Sequence, residues 1–300
     1  MSEIAGARVV VTGGAGFLGG HVCAALRDTG ATVVAPRRTE VDLREATPAT
    51  FEGADYVVHA AAVGGGIGWM RSHPATAFVD NIRLNTSVLD AAWRAGVKRF
   101  VGMSSACAYA ADAPQPMREA ALFAGEPEPT NGPYGHAKRA MLVHGAALHA
   151  EHGFDCAFVV PTNLYGPGDD FDPARSHLVA ALVRKFVAGD GRCWGSGRAT
   201  RDLLFVRDAA EGIVRALIMG GGPAPMNLGS GEERTIAEIA SEVTRAAGYS
   251  GELQWDPGQP DGMPRKVLDI RRAAERLGWR PRTSLGVGLA ETVEWYRRSC

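Results

Sequence analysis

The chain has 300 residues, 32 basic against 33 acidic side chains and a formal net charge of −1, a balance that gives no reason to expect nucleic acid or an anionic membrane surface as partner. No apolar run approaches the roughly 20 residues needed to span a bilayer, and the amino terminus enters a strand pattern rather than a basic-then-apolar leader. The five cysteines (Cys23, Cys107, Cys156, Cys193 and Cys300) are odd in number and scattered, which excludes a disulfide framework and offers no metal-ligand spacing; a soluble, reduced, cytoplasmic protein without a metal is expected.

The first predicted element is a strand over Ala7–Val11, a continuous apolar run of the kind buried on both faces. Thr12 through Gly19 follow at once, and an amphipathic helix then runs to about Asp28. Gly13, Gly16 and Gly19 permit, in turn, a tight turn, a close backbone approach to a pyrophosphate, and close packing of helix on strand. Phe17 and Leu18 open the helix, whose unpaired N–H groups suit an anion. A lone glycine motif is weak, but strand, turn and helix in this order make a dinucleotide site the expectation.

A second strand over Thr32–Ala35 ends in Pro36-Arg37-Arg38. NAD-binding sheets usually carry a carboxylate here for the ribose 2′-hydroxyl. Two guanidiniums suit a 2′-phosphate instead, so the expected cofactor is NADP(H). Glu40 and Asp42 stand close by as alternative ribose ligands. A third strand, Asp55–Ala62, leads to Val63 and a run of glycines to Gly68, read either as backbone that approaches a ligand or as a mobile loop. A helix is predicted over about 74–95, with Asn81 on it. A fourth strand, Arg99–Met103, ends in Ser104-Ser105-Ala106-Cys107. In a doubly wound sheet the carboxyl ends of strands face the ligand crevice, so Ser105 and Cys107 fall there. Residues 110–130 make a proline-rich loop long enough to suggest a function.

Tyr134 and Lys138 stand four residues apart at the head of a helix running through about Glu151, which puts them on one helical face. A phenol has a reference pKa of about 10, and the lysine is expected to pull it down towards the working pH. The pair suits a carbonyl/alcohol interconversion. A further strand covers Phe154–Val160, after which the rhythm changes. Leu203–Val206 and a helix from Asp208 look like a return to the sheet; a helix over Thr235–Ala247, a short strand over Lys266–Ile270 and a terminal helix over Leu285–Tyr296 complete the chain. The expected fold is α/β: a Rossmann-type doubly wound parallel sheet with a smaller, discontinuous α/β substrate lobe. The sheet domain is drawn at 1–167 plus about 203–228, the lobe at about 168–202 plus 229–300, with a ligand cleft between them.

The glycine loop, Ser105, Tyr134 and Lys138 together resemble the extended short-chain dehydrogenase/reductases. Within them the chain resembles, nearly end to end, the GDP-L-fucose synthase family. That closer likeness is carried by Ala60-Ala61-Ala62 with Gly65-Gly66-Ile67, by Ser105-x-Cys107, by Glu128-Pro129-Thr130-Asn131-x-Pro133-Tyr134 and by Pro161 through Pro167. It continues in Ser176-His177, Trp194-Gly195-Ser196-Gly197 and Pro260-Asp261-Gly262-x-Pro264-Arg265-Lys266. The resemblance implies an NADPH-dependent 3,5-epimerase/4-reductase of a nucleotide 4-keto-6-deoxy sugar, working as a homodimer. Ser105 would hold the reacting oxygen, with Tyr134 the acid/base and Lys138 its tuning and ribose-binding partner. Cys107 would be the base and His177 the acid of epimerisation. Ala60, Ala61, Pro161, Asn163 and Leu164 would line the cofactor. Asn163, His177, Lys185, Trp194, Arg201 and Lys266 would meet the nucleotide-diphosphate sugar.

A C4 ketone acidifies the protons at C3 and C5, and inverting a centre takes one group on each side of the ring; a thiol and an imidazole, with reference values of about 8.5 and 6.5, are poised for that near neutrality. Three alternatives stand beside this reading: a 4-epimerase or dehydratase that retains NAD, an epimerase-only or reductase-only relative, and a cofactor-sensing regulator without chemistry. Cys23, Cys156 and Cys193 are read as structural. The remaining histidines, His21, His59, His73, His136, His144, His149 and His152, are read as background.

Overall fold

Strands that are apolar on both sides need cover on both sides, and this chain supplies it. The computed structural model describes residues 3–259 and 261–299; Pro260 and Cys300, both named above, lie outside them. The first half runs β1 (Arg8–Thr12), α1 (Phe17–Asp28), β2 (Thr32–Val34), β3 (Tyr56–His59), α2 (Ile67–Ser72), α3 (Pro74–Arg94), β4 (Arg99–Met103), α4 (Gly132–His152) and β5 (Cys156–Pro161). There follow β6 (Asn163–Tyr165), α5 (Leu178–Val187), β7 (Arg192–Trp194), β8 (Thr200–Arg201), β9 (Leu203–Phe205), α6 (Val206–Met219) and β10 (Met226–Leu228). The last elements are β11 (Arg234–Thr235), α7 (Ile236–Ala247), β12 (Gln254–Asp256), β13 (Arg265–Lys266), α8 (Arg271–Leu277) and α9 (Leu285–Ser299).

Six strands form one parallel sheet in the order β10-β5-β4-β3-β1-β2. Alternate residues feed opposite cores. Val10, Val57, Phe100 and Phe158 pack with Leu84 and Val88 of α3 and Met141 and Leu142 of α4. Val9, Val11, Val58, Val101 and Val159 pack on the other face with Val22 and Leu26 of α1 and Ile213 of α6. The expected doubly wound α/β sheet is therefore present. The strand order reverses between β1 and β3, where a doubly wound sheet opens its crevice. No helix among the described residues is long and apolar enough to cross a membrane.

A third core joins α5, α7 and α9 through Val179, Val183, Ile239, Val243 and Leu289. Two expectations are corrected around it. Leu203–Phe205 does not rejoin the main sheet; it pairs in parallel with β6 as a separate ladder. The reason is that this ladder is shared: Leu204 faces the sheet core, while Leu203 and Phe205 face the third core. The stretch from 229 onward is not one lobe either. Ala273 and Leu277 of α8, with Trp279, are buried in the sheet core against α6.

The proline-rich loop is tied down. Tyr109 Oη donates to Asn227 Oδ1 at 2.7 Å, and the same amide donates to the Met117 carbonyl at 2.9 Å. Met117 in turn bridges to Leu268. The stretch read as a strand over Lys266–Ile270 is a strand only at Arg265–Lys266, because Val267–Asp269 bonds back to this loop instead.

Candidate active site

The glycine loop turns where β1 meets β3. Gly13 has φ +71°, and a methyl group on it would lie 2.7 Å from the Ala61 nitrogen. The loop thus lies on Ala60 and Ala61. A methyl on Gly19 would lie 2.1 Å from the Gly13 carbonyl oxygen, so no larger residue lets α1 start this close to the strand. No side chain caps α1 and no acidic residue stands in its first turn. The N–H groups of Phe17, Leu18 and Gly19 therefore remain for an anion. These residues fit a dinucleotide pyrophosphate.

Arg37 and Arg38 are exposed just beyond β2. The two carboxylates that might have met a ribose are engaged elsewhere. Glu40 accepts from the Arg37 N–H at 3.0 Å, and Asp42 is gripped by the Arg44 guanidinium at 2.6 Å. At the far side, Pro161 ends β5, Leu164 packs towards the sheet core, and Asn163 donates to the Asp202 carbonyl at 3.1 Å.

Ser105 caps the short turn Ala106–Ala108 beyond β4, accepting from the Cys107 N–H at 3.1 Å. Helix α4 holds that turn at two points. A methyl on Gly135 would lie 2.4 Å from the Cys107 carbonyl oxygen, and Arg139 Nε donates to the Ala108 carbonyl at 2.7 Å. Tyr134 and Lys138 stand on the same helix, as their spacing implies. The Lys138 ammonium lies 5.6 Å from the Tyr134 ring centre and donates to the Met103 carbonyl at 2.9 Å.

The electrostatics of this pair correct the sequence expectation. The Tyr134 phenol is pushed up, not down, first by burial and then by the Cys107 sulfur. Lys138, only 1% exposed, is itself pushed down to about 8 by burial. Desolvation outweighs attraction because a low-dielectric wall disfavours both charged forms at once. Tyr134 therefore keeps its proton, the form a donor to a carbonyl oxygen needs.

Lys266 joins the remaining groups. Its Nζ lies 3.5 Å from the Cys107 sulfur. Its charge also reaches His177, the residue before α5. That ring is exposed by surface area yet crowded by protein, and this desolvation, with the Lys266 ammonium as second cause, pushes its imidazole below the ordinary value; Asp170 acts the other way. The loop after β3, expected to be a ligand approach or a mobile segment, sets this geometry. Gly66 donates its N–H to the Arg175 carbonyl at 2.7 Å, and a methyl on it would lie 2.4 Å from the Ser176 carbonyl. A methyl on Gly64 would lie 3.8 Å from the Tyr134 ring. The loop thus spans from Tyr134 to the residues before His177 and continues as α2.

The profile of the NAD dependent epimerase/dehydratase family matches residues 9–229. The probable GDP-L-fucose synthase 1 of Oryza sativa subsp. japonica is 39% identical over 303 residues, covering 97% of this chain and 92% of that one. The GDP-L-fucose synthase of Escherichia coli K12 is 35% identical over 309 residues, covering 96% of each. The chain belongs to the GDP-L-fucose synthase family. A GDP-6-OMe-4-keto-L-xylo-heptose reductase from Campylobacter jejuni superposes with a TM-score of 0.92 at 23% identity, covering 98% of this chain and 99% of that one, which shows a shared fold.

Four of the six residues expected to meet the substrate fall in two groups. Arg201 and Lys266 are register partners on β8 and β13. The Arg201 guanidinium already donates to the Met263 carbonyl at 2.6 Å and the Asp261 carbonyl at 3.2 Å. Lys185 and Trp194 form a second group: the ammonium lies 5.6 Å over the indole and donates to the Arg192 carbonyl at 2.9 Å. Trp194 is 55% exposed. Sequence reasoning missed Arg139, and it set His59 aside as background although that ring is fully buried and bonded at both nitrogens.

Proposed function

We propose that this protein is an NADPH-dependent 3,5-epimerase/4-reductase of a GDP-linked 4-keto-6-deoxy sugar. The observation that carries the reading is Lys266: its ammonium lies 3.5 Å from the Cys107 sulfur and its charge is felt at the His177 imidazole, which supports a thiol and an imidazole serving one sugar ring beside a protonated tyrosine. Cys107 takes the proton from C3 or C5, Tyr134 and Ser105 hold the C4 oxygen as the enolate forms, and His177 returns a proton from the other side. Arrival of the diphosphate at Lys266 and Arg201 would offset the cation, the second cause after desolvation that opposes imidazolium, and so favour the protonated ring that His177 needs as a donor. Bound NADPH would supply the hydride for C4, and reduction would have to come last, since the neighbouring protons lose their acidity once the ketone is gone. Trp194 and Lys185 make the nucleotide wall.

We assign the cofactor to residues 1–167, 203–228 and α8, and the sugar to the rest. Phe78 and Val79 of α3 and Val143 of α4 are exposed, and α3 packs on α4; exposed apolar side chains on both helices suit a homodimer formed through this pair. An unpaired thiol as base suits the reducing cytoplasm.

Incubation with a panel of nucleotide 4-keto-6-deoxy sugars, following NADPH absorbance and product stereochemistry, tests the reading. Tightly held NAD with no net NADPH consumption would favour a recycling 4-epimerase or dehydratase instead. The cofactor choice has its own test. Removing both guanidiniums, in Arg37→Ala with Arg38→Ala, should weaken NADPH by about tenfold to a hundredfold and NADH far less, because charged hydrogen bonds to the 2′-phosphate are lost. Equal losses in a fluorescence titration would remove the basis for choosing NADPH.

A further inference from the structure

A buried hydrogen-bonded chain joins the two halves of the site through side chains that have no role above. Thr12 ends β1, His59 ends β3 and Asn85 lies on α3; none is more than 1% exposed. His59 Nδ1 lies 2.7 Å from Thr12 Oγ1, and its Nε2 lies 3.0 Å from Asn85 Oδ1. Asn85 Nδ2 donates to the Ala137 carbonyl at 3.2 Å, and the Ala61 N–H donates to Thr12 Oγ1 at 3.4 Å.

Both ends are backbone groups of fixed polarity: a carbonyl only accepts and an N–H only donates. The Asn85 nitrogen must face Ala137, so its oxygen faces His59 and takes the Nε2 proton. Nδ1 is then bare and accepts from the Thr12 hydroxyl, whose lone pair takes the Ala61 N–H. Only the neutral ring with its proton on Nε2 satisfies every member. Burial, with the Lys138 ammonium as second cause, pushes His59 down to about 3, which keeps that form at any working pH.

We propose that His59 is a positioning residue: through Thr12 and Asn85 it holds Ala61, under the glycine loop, in register with the turn of α4 that carries Tyr134 and Lys138. One end of the chain is the backbone against which Gly13 packs. The other is the carbonyl directly before Lys138. His59 thereby sets how the cofactor cradle stands relative to the group that protonates the C4 oxygen. The Cys107 turn is fixed to this same helix, by Gly135 and Arg139, so Cys107 and Tyr134 keep their relation to each other when the cradle shifts, and epimerisation is spared. The inference rests on the function proposed above, because hydride transfer is the step that needs these two halves aligned.

Three variants of the whole protein separate the outcomes. His59→Leu removes both links, His59→Gln keeps a donor towards Asn85, and Thr12→Val removes the upper link alone. In His59→Leu, kcat for NADPH oxidation should fall by about tenfold to a hundredfold, as expected for a small misplacement. The isotope effect with C4-deuterated NADPH should rise as hydride transfer becomes limiting, while solvent exchange at C3 and C5 stays within about twofold and His59→Gln recovers part of the loss. Unchanged kcat and isotope effect would overturn the proposal. So would equal falls in exchange and reduction alongside a lowered Tm, the mark of a purely structural residue. Should His59→Leu fail to fold, Thr12→Val, one hydroxyl different, carries the same two readouts. A wild-type protein that neither exchanges C3/C5 protons nor oxidises NADPH would refute the function instead.

Discussion

Cys107→Ser is expected to slow exchange of the C3 and C5 protons with deuterated water by about a hundredfold or more, while NADPH affinity stays near wild type. Serine keeps the size and hydrogen-bonding capacity of cysteine and removes only an accessible anion. Nothing else about the turn should change. Ser105 still caps it through the residue 107 N–H, and Gly135 and Arg139 still hold its carbonyls. The Lys266 ammonium, 3.5 Å from the sulfur, would then face a hydroxyl that stays neutral. Exchange followed by NMR, with NADPH binding followed by nicotinamide fluorescence, separates the two effects. Exchange at the wild-type rate would show that another group abstracts the proton, and loss of NADPH binding would show that the turn itself had collapsed.

What could be read from the residues, and what could not, divides along a physical line. The glycine loop was legible because its pattern is local: the glycines stand at short fixed spacing directly after β1, and Gly19 is forced by the backbone of Gly13 and Gly14. The bounds Arg99–Met103 of β4 follow from a buried apolar run closed by serines. Helix α2 was not legible, because a glycine-rich stretch reads as loop unless one knows that the Arg175 carbonyl pins its start. The short apolar run Leu203–Phe205 was taken for a sheet strand, since nothing in it says which of two cores each side faces. Spacing placed Tyr134 beside Lys138 but carried no information on how dry their surroundings are, and dryness reversed the direction of the tyrosine shift. His59 was silent for the plainest reason: its partners lie 47 and 26 residues away.

That reversal fixes what a pH profile should look like. Tyr134→Phe should cut NADPH-dependent reduction by about a hundredfold to ten-thousandfold, the range for losing a general acid, and Lys138→Met should fall in the same range. The wild-type rate should itself decline as pH rises through about 8, where the buried Lys138 ammonium loses its proton. Tyr134 is not the titrating group in that limb, because burial and the Cys107 sulfur hold its phenol protonated well above it. Lys138→Arg separates the two. A guanidinium stays charged throughout, so whatever activity survives should lose the limb near 8; a limb that persists there belongs to another group. Stability carries the opposite sign. Between about 8 and the ordinary lysine value of 10.5 the unfolded chain binds the proton and the folded chain does not, so stability owed to Lys138 rises with pH across that window. Below the window, folding carries the cost of an ammonium held in a dry pocket. Lys138→Met should therefore be inactive yet no less stable at neutral pH, and denaturant titrations across the window should lose that slope. A variant both inactive and markedly less stable would mean that the bond to the Met103 carbonyl outweighs the burial of the charge.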